Sequence, residues 1–414
     1  DTMMVGNLGA EAIAAVGLTA QPKFIGLSIF VSLNGAVTAI IARRYGEKDK
    51  DDANNVLLNC LFLTLILTLL ISGIFIFFGY DIVKIMQGDA ATTELAAEYI
   101  RILMGGMIFQ TITLYINACQ RGTGNTKITF RTNLVSNVVN VIFNYLLIEG
   151  HFGFPRLEVR GAAIATVIGT VVGCAMAIKS ICHPHAFLYL FAGAKRGFSP
   201  KTLLSITKMG TSTLAEQLCM RFGFLIFAMT VSSLGTYCFA ANQIGMNVCM
   251  ISFSVGDGLS GASLALVGKS MGEKNVQLAK KYINCCLQIG FITSLISAVI
   301  FFTFGRQLFM LFSNDPRVLE YSVFISCILG IVTGFQIPAM VFAGGLRGAG
   351  DAAYIAFMAL ISIAIVRPLF GWFFCYPMGL GLRGAWIGFM CDQLLRFLLN
   401  FLRYRQGKWQ KLKI

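Results

Sequence analysis

The chain has 414 residues, of which 56% are hydrophobic and only 13% charged, with a mean hydropathy of +0.74. A soluble domain carries roughly 25% charged residues, so the composition argues against a soluble enzyme or binding domain and for an all-α integral membrane protein. The formal charge of +14, from 33 Lys and Arg against 19 Asp and Glu, reads as loop charge that sets topology and not as a nucleic-acid surface.

Seven stretches contain no Asp, Glu, Lys or Arg: residues 24–42, 56–80, 102–120, 132–148, 161–178, 282–305 and 321–346. Crossing the hydrocarbon takes roughly 20 apolar residues, and helices satisfy their own backbone in lipid. In chain order, the sequence predicts a remnant of span 1 before Gly6, then spans over about 20–43, 55–79, 96–119, 128–149 and 161–182. A second group follows over about 204–231, 237–268, 281–304, 319–345, 353–377 and 383–403. Residues 222–256 are too long for one crossing, and Ser232, Ser233, Leu234, Gly235 and Thr236 supply the turn that divides them. The chain opens at Asp1 without an initiator Met or a cleavable signal peptide, so most of span 1 is expected to precede it. The twelve cysteines lie mostly in apolar runs without Cys-x-x-Cys spacing, which suits small core residues and not disulfides or metal ligands.

Every second loop is basic. Arg43, Arg44, Lys48 and Lys50 form one cluster, Arg121, Lys127 and Arg131 the next, and Lys195, Arg196, Lys201 and Lys208 a third. Lys269, Lys274, Lys280 and Lys281 follow, then Arg347, then the tail with Arg403, Arg405, Lys408, Lys411 and Lys413. The intervening loops are acidic or mixed, as at Asp81, Asp89, Glu149, Asp315 and Glu320. The positive-inside rule puts the basic loops and both termini in the cytoplasm.

The two halves repeat. Val5-Gly6-Asn7-Leu8-Gly9 echoes Val231-Ser232-Ser233-Leu234-Gly235, Gly46-Glu47-Lys48 echoes Gly272-Glu273-Lys274, and Arg121-Gly122-Thr123-Gly124 echoes Arg347-Gly348-Ala349-Gly350. All three share one register of 226 residues (5 to 231, 46 to 272, 121 to 347). Arg160-Gly161-Ala162 also matches Arg383-Gly384-Ala385, three residues out of that register. Six spans per half keep both halves in the same orientation, a parallel repeat that places a transport site near the repeat interface. The expected organisation is an N-terminal lobe over 1–182, a cytoplasmic inter-lobe loop over 183–203, a C-terminal lobe over 204–403 and a basic cytoplasmic tail over 404–414.

Ionisable and amide groups inside spans are costly and mark candidate sites. Asp1 stands in the membrane part of span 1, and its repeat counterpart is Phe227. Asn133, Asn137, Asn140 and Asn144 are spaced four, three and four residues apart, which keeps them on one face of span 5. Their carbonyl oxygens suit a cation and their amides suit a substrate, while helix–helix adhesion is the structural alternative. In the second half, Glu216 and Gln217 on span 7, Asn242 and Gln243 on span 8, Asp257 among glycines on the same span, and Gln336 on span 10 are candidate cavity residues. Glu216 with Arg221, and Asp392 with Arg396 at i,i+4, are expected internal ion pairs. Arg367-Pro368 is expected to kink span 11. No nucleotide loop or His-Glu-x-x-His motif is present, and His151, His183 and His185 fall in loops.

These residues carry a resemblance. Asp1-Thr2, followed by Gly6 and Leu8-Gly9, resembles the end of span 1 in multidrug and toxic compound extrusion (MATE) transporters. Gln120-Arg121-Gly122 with Gly124-Asn125-Thr126, Gly272-Glu273-Lys274-Asn275, and Leu346-Arg347-Gly348 with Gly350-Asp351 resemble the family's later loops, so the likeness covers nearly the whole chain. It implies a twelve-helix bundle of two six-helix lobes, a central cavity, and alternating access by rocking of residues 1–182 against 204–403. It also implies coupling to H+ or Na+, no other cofactor, and export of organic cations or amphipathic drugs by a monomer among membrane lipids. The protein would be a multi-pass transporter of the cell inner membrane and not an enzyme. Asp1 and Asn140 match family positions implicated in cation coupling, whereas Asn144 stands where the family often has Asp. The second lobe lacks the family's usual acids in position, with Glu216 a turn early and Gln336 on span 10. An alternative within the same superfamily is a flippase for a lipid-linked precursor, which calls for a cationic cavity, whereas the spans offer few basic residues toward one, chiefly Arg221 and Arg367.

Overall fold

The structure, a computed structural model, describes residues 2–5, 8, 10–85, 90–184, 186–192, 200–313 and 315–412, and these form helices and connecting turns without strands. The chain divides into two compact units, residues 1–210 and 211–414. The first contains α1 (Ala10–Glu47), α2 (Lys50–Lys84), α3 (Ala90–Gly105), α4 (Met107–Gly122), α5 (Thr126–Ile148) and α6 (Glu158–Ile181). Helix α7 (Pro200–Ser232) begins in the first unit and continues into the second. The second unit adds α8 (Thr236–Gly272), α9 (Val276–Met310), α10 (Ser322–Gly348), α11 (Ala352–Ala359), α12 (Arg367–Cys375) and α13 (Gly381–Gln406). Among the described residues, nine helices are long and apolar enough to cross a membrane, with α3 and α4 together making a tenth. Helix α5 falls short of that measure because Lys127, Arg131 and four asparagines dilute its apolar residues.

The expected single span over 96–119 is instead two helices, α3 and α4, bent by 48° at Gly106. A Cβ at Gly106 would run into the Val167 side chain of α6, so glycine lets α6 approach the bend. Span 11 is also interrupted, but by a π-turn over Leu360–Val366 that joins α11 to α12 just before Pro368. The wider turn accommodates the missing proline N–H, and such turns are frequent at functional sites.

The internal repeat extends to backbone geometry. Lys48 and Lys274 both adopt left-handed φ angles, 58° and 56°. Asp49 and Asn275 then cap the next helices, accepting from the N–H groups of Asp52 and Leu278 at 2.9 Å each. In the later loop, Asn125 N–H donates to Gln120 O at 2.9 Å and Asp351 N–H to Leu346 O at 2.8 Å, with Gly124 and Gly350 both at positive φ.

The apolar cores sit within the units. Phe30, Phe75, Ile100, Met104 and Met107 form one in the first unit, and Phe227, Phe301, Phe309, Trp386 and Phe389 form the largest aromatic one in the second. The segment after α6 folds back onto α2: Tyr189 N–H donates to Asn54 Oδ1 at 2.8 Å, and Phe187 meets Tyr45 edge-on. The tail over 404–414 is partly packed as well. Trp409 is fully buried, donates from Nε1 to Tyr404 O at 3.0 Å and stacks on the Tyr404 ring. At the opposite loop, Asp315 caps a short turn (Pro316–Leu319); the Arg317 N–H and guanidinium hold its carboxyl below the usual range.

Candidate functional site

Each unit holds a polar cluster within its spans. In the first unit it is built on α5 and α6. Ser136 donates to Gly169 O at 2.8 Å, and the absence of a side chain at Gly169 lets α6 lie against the α5 backbone at Ser136 and Asn140. That approach brings Asn140 Nδ2 to Thr166 Oγ1 at 3.1 Å, and Asn144 Nδ2 donates to Asn140 Oδ1 at 3.3 Å. The result is a ladder of amides and a hydroxyl, with both donated hydrogens committed to oxygen acceptors.

The four-asparagine stripe is graded. Asn133 and Asn137 are exposed, Asn140 is half-buried and Asn144 is fully buried. Spacing placed them on one face, but α6 covers only the later part of it. Of the four, Asn144 lines a pocket of about 160 Å³ with Met4, Tyr145, Ile148 and Glu149. Asp1, the expected carboxylate of this lobe, lies outside the described residues.

In the second unit the cluster is ionic, and its pairing differs from that expected. Glu216 on α7 does not pair with Arg221. It accepts from Arg347 Nη2 at 2.6 Å on each oxygen and from Arg396 Nη2 at 3.1 Å. Five residues separate Glu216 from Arg221, which turns them about 140° apart around the helix; Arg221 is exposed. The expected Asp392–Arg396 pair is also replaced. Asp392 accepts from Arg367 at 3.0 Å (Nε) and 2.5 Å (Nη2), and from Gln393 at 3.1 Å. Arg367 is thus an ion-pair partner, held between the Phe224 and Phe389 rings, and not only a residue beside a kink.

The remaining candidates scatter. Asn242 and Gln336 are buried, Gln217 is half-buried, and Gln243 and Asp257 are exposed. Arg347 was legible only as a loop charge, although it lies in the last turn of α10. The sequence offered no local signal for it, because Arg221 and Arg396 already stood on the same helices as the two acids. A further pair, Arg403 with Asp351 at 2.7 Å, fastens α13 to the loop before α11.

The MatE family model matches residues 1–146 and 213–373. The chain belongs to the MatE family. A probable multidrug resistance protein NorM of Thermotoga maritima is 29% identical over 424 residues, covering 99% of this chain and 88% of that protein. An uncharacterized transporter YisQ of Bacillus subtilis is 25% identical over 413 residues, covering 99% of this chain and 90% of its own length. The crystal structure of a MATE protein in the straight conformation matches the fold with a TM-score of 0.91 at 24% identity, over 99% of this chain and 92% of that one. As a MATE-family member the chain is a multi-pass membrane transporter, and the family is one of transporters and not of enzymes.

Proposed function

We propose that the protein is a cation-coupled antiporter that exports organic cations or amphipathic drugs across the cytoplasmic membrane by alternating access, driven by H+ or Na+. The observation that carries this reading is family membership along both halves, joined to a relationship with a multidrug resistance protein NorM over 99% of the chain. The polar clusters support a division of labour. In the second unit, Glu216 and Asp392 are each engaged by arginine side chains, so their charges are matched by the protein's own cations. In the first unit, the Asn140–Asn144 ladder offers neutral oxygen ligands of the kind a hard cation accepts. Asp1 is assigned the coupling charge there, and the lone carboxylate favours H+ over Na+. Both termini are assigned to the cytoplasm, and the unit of transport is a monomer.

Everted membrane vesicles incubated with a fluorescent cationic dye test the proposal. Dye accumulation should require an imposed proton or sodium gradient, and an ionophore for the coupling ion alone should stop it. Accumulation that continues with both gradients collapsed would overturn gradient coupling.

A further inference from the structure

The last two helices of each unit match residue by residue. A Cβ on Gly161 of α6 would meet Leu147 O of α5, and a Cβ on Gly384 of α13 would meet Phe374 O of α12. The glycines stand 223 residues apart (161 to 384), the register of the Arg-Gly-Ala repeat, and the carbonyls 227 apart (147 to 374). The earlier loops keep a register of 226. The wider turn of the π-segment over Leu360–Val366 holds one residue more, which accounts for the step from 226 to 227 before Arg367. Asn140 therefore corresponds to Arg367 and Asn144 to Gly371, while Thr166 and Gly169 correspond to Phe389 and Asp392.

The contacts obey this match. In the first unit, Asn140 donates to Thr166 at 3.1 Å, and a Cβ on Gly169 would lie 3.1 Å from Asn140 Cβ. In the second, the Arg367 guanidinium lies over the Phe389 ring at 4.9 Å and donates to Asp392 at 3.0 and 2.5 Å. Phe227, the counterpart of Asp1, is the side chain that a Cβ on Gly371 would meet, at 3.9 Å. The place of the amide ladder is thus taken by a guanidinium, a carboxylate and two aromatic faces, Phe389 and Phe224, the latter at 4.5 Å. Arg367 and Asp392 are 1% and 0% exposed.

We propose that Arg367 is a resident cation. It occupies the second unit's counterpart of the first-unit cation site, keeps that unit permanently loaded, and confines cation exchange to the first unit. A guanidinium holds its charge throughout the physiological pH range, and its bond to the backbone prevents release. The consequence is one coupling cation per exported molecule. This inference rests on the coupling role given to Asp1 and the asparagine ladder.

Two measurements test it. Reversal potentials of the parent protein in proteoliposomes, with a fluorescent cationic dye as substrate, should give one cation per dye molecule; two would overturn the proposal. The second measurement is thermal unfolding in an Asp1→Asn background, which silences the first unit, with Na+ exchanged for N-methyl-D-glucamine at constant ionic strength and mildly alkaline pH. With Arg367 or Arg367→Lys, Na+ should have no saturable effect. Arg367→Gln vacates the position beside Asp392, so Na+ should raise the unfolding temperature saturably, as a ligand of the folded state does. Adding Asp392→Asn should abolish that response. A folded Arg367→Gln variant that is merely less stable, with no saturable Na+ response, would make the pair purely structural and overturn the proposal. The stoichiometry is read on the parent protein and decides the question if Arg367→Gln does not fold. A saturable Na+ response in Arg367→Gln supports the resident cation even where export proves independent of any gradient, so the two readings fail separately.

Discussion

Arg367 donates from Nε and Nη2 to the same oxygen of Asp392, at 3.0 and 2.5 Å, and the side chains are 1% and 0% exposed. Removing one member leaves the other charge buried and uncompensated, which costs about 3–5 kcal/mol. Arg367→Ala should therefore lower the unfolding temperature sharply. The double replacement Arg367→Met with Asp392→Leu, which removes both charges, should recover most of the loss. Thermal unfolding of the purified variants checks this, and an equally unstable double variant would mean that packing, not charge pairing, dominates.

The bend between α3 and α4 gives a second test. Gly106 has φ −82° and ψ −1°, a conformation open to any L-residue, so the obstacle to substitution is steric, with the Val167 side chain nearest. Overpacking of this kind costs about 1–3 kcal/mol. Gly106→Val should destabilise by that amount, and Val167→Ala in the same chain should return part of it. Non-additivity in the double-mutant cycle is the readout; strictly additive losses would contradict the contact.

The contrast between these two sites explains how much the sequence discloses. Spans, the turn over 232–236 and the duplicated loops follow from local patterns, because apolar runs and left-handed turn positions are chemical properties of neighbouring residues. The bend at Gly106 sits inside an apolar run without proline or charge; the Gly105-Gly106 pair was its available signal, while the Val167 side chain packed against it belongs to another helix. The partners of Glu216 and Asp392 were misread for the same reason. Local spacing proposed Arg221 and Arg396, but packing supplied Arg347 and Arg396 to Glu216 and Arg367 to Asp392. Periodicity likewise placed four asparagines on one face, while the burial of Asn144 depends on how α5 meets its neighbours.

Asn144→Asp tests the first-unit ladder. Asn144 donates its amide hydrogen to Asn140 Oδ1, so a carboxylate there sets oxygen against oxygen. The pair then needs a proton or a cation between them. The variant should show a shifted pH dependence of export or a stronger response to Na+, measured in vesicles over a pH and Na+ grid. An unaltered profile would remove the ladder from the coupling site.

Topology is tested at the turn capped by Asp315. A cysteine at this position, in a chain whose exposed Cys285 has been replaced, should react with an impermeant thiol reagent on intact cells. Labelling only after permeabilisation would reverse the assigned orientation.

The most direct test of the coupling assignment is gradient-driven export by Asp1→Asn beside Glu216→Gln, each normalised to the amount of folded, inserted protein. Glu216 holds Arg347 and Arg396 together, so its neutral replacement should lower stability while gradient-driven export persists. Asp1→Asn should fold and insert but lose gradient-driven export. Full export by Asp1→Asn with an inactive, folded Glu216→Gln would contradict the account and move coupling to the second unit.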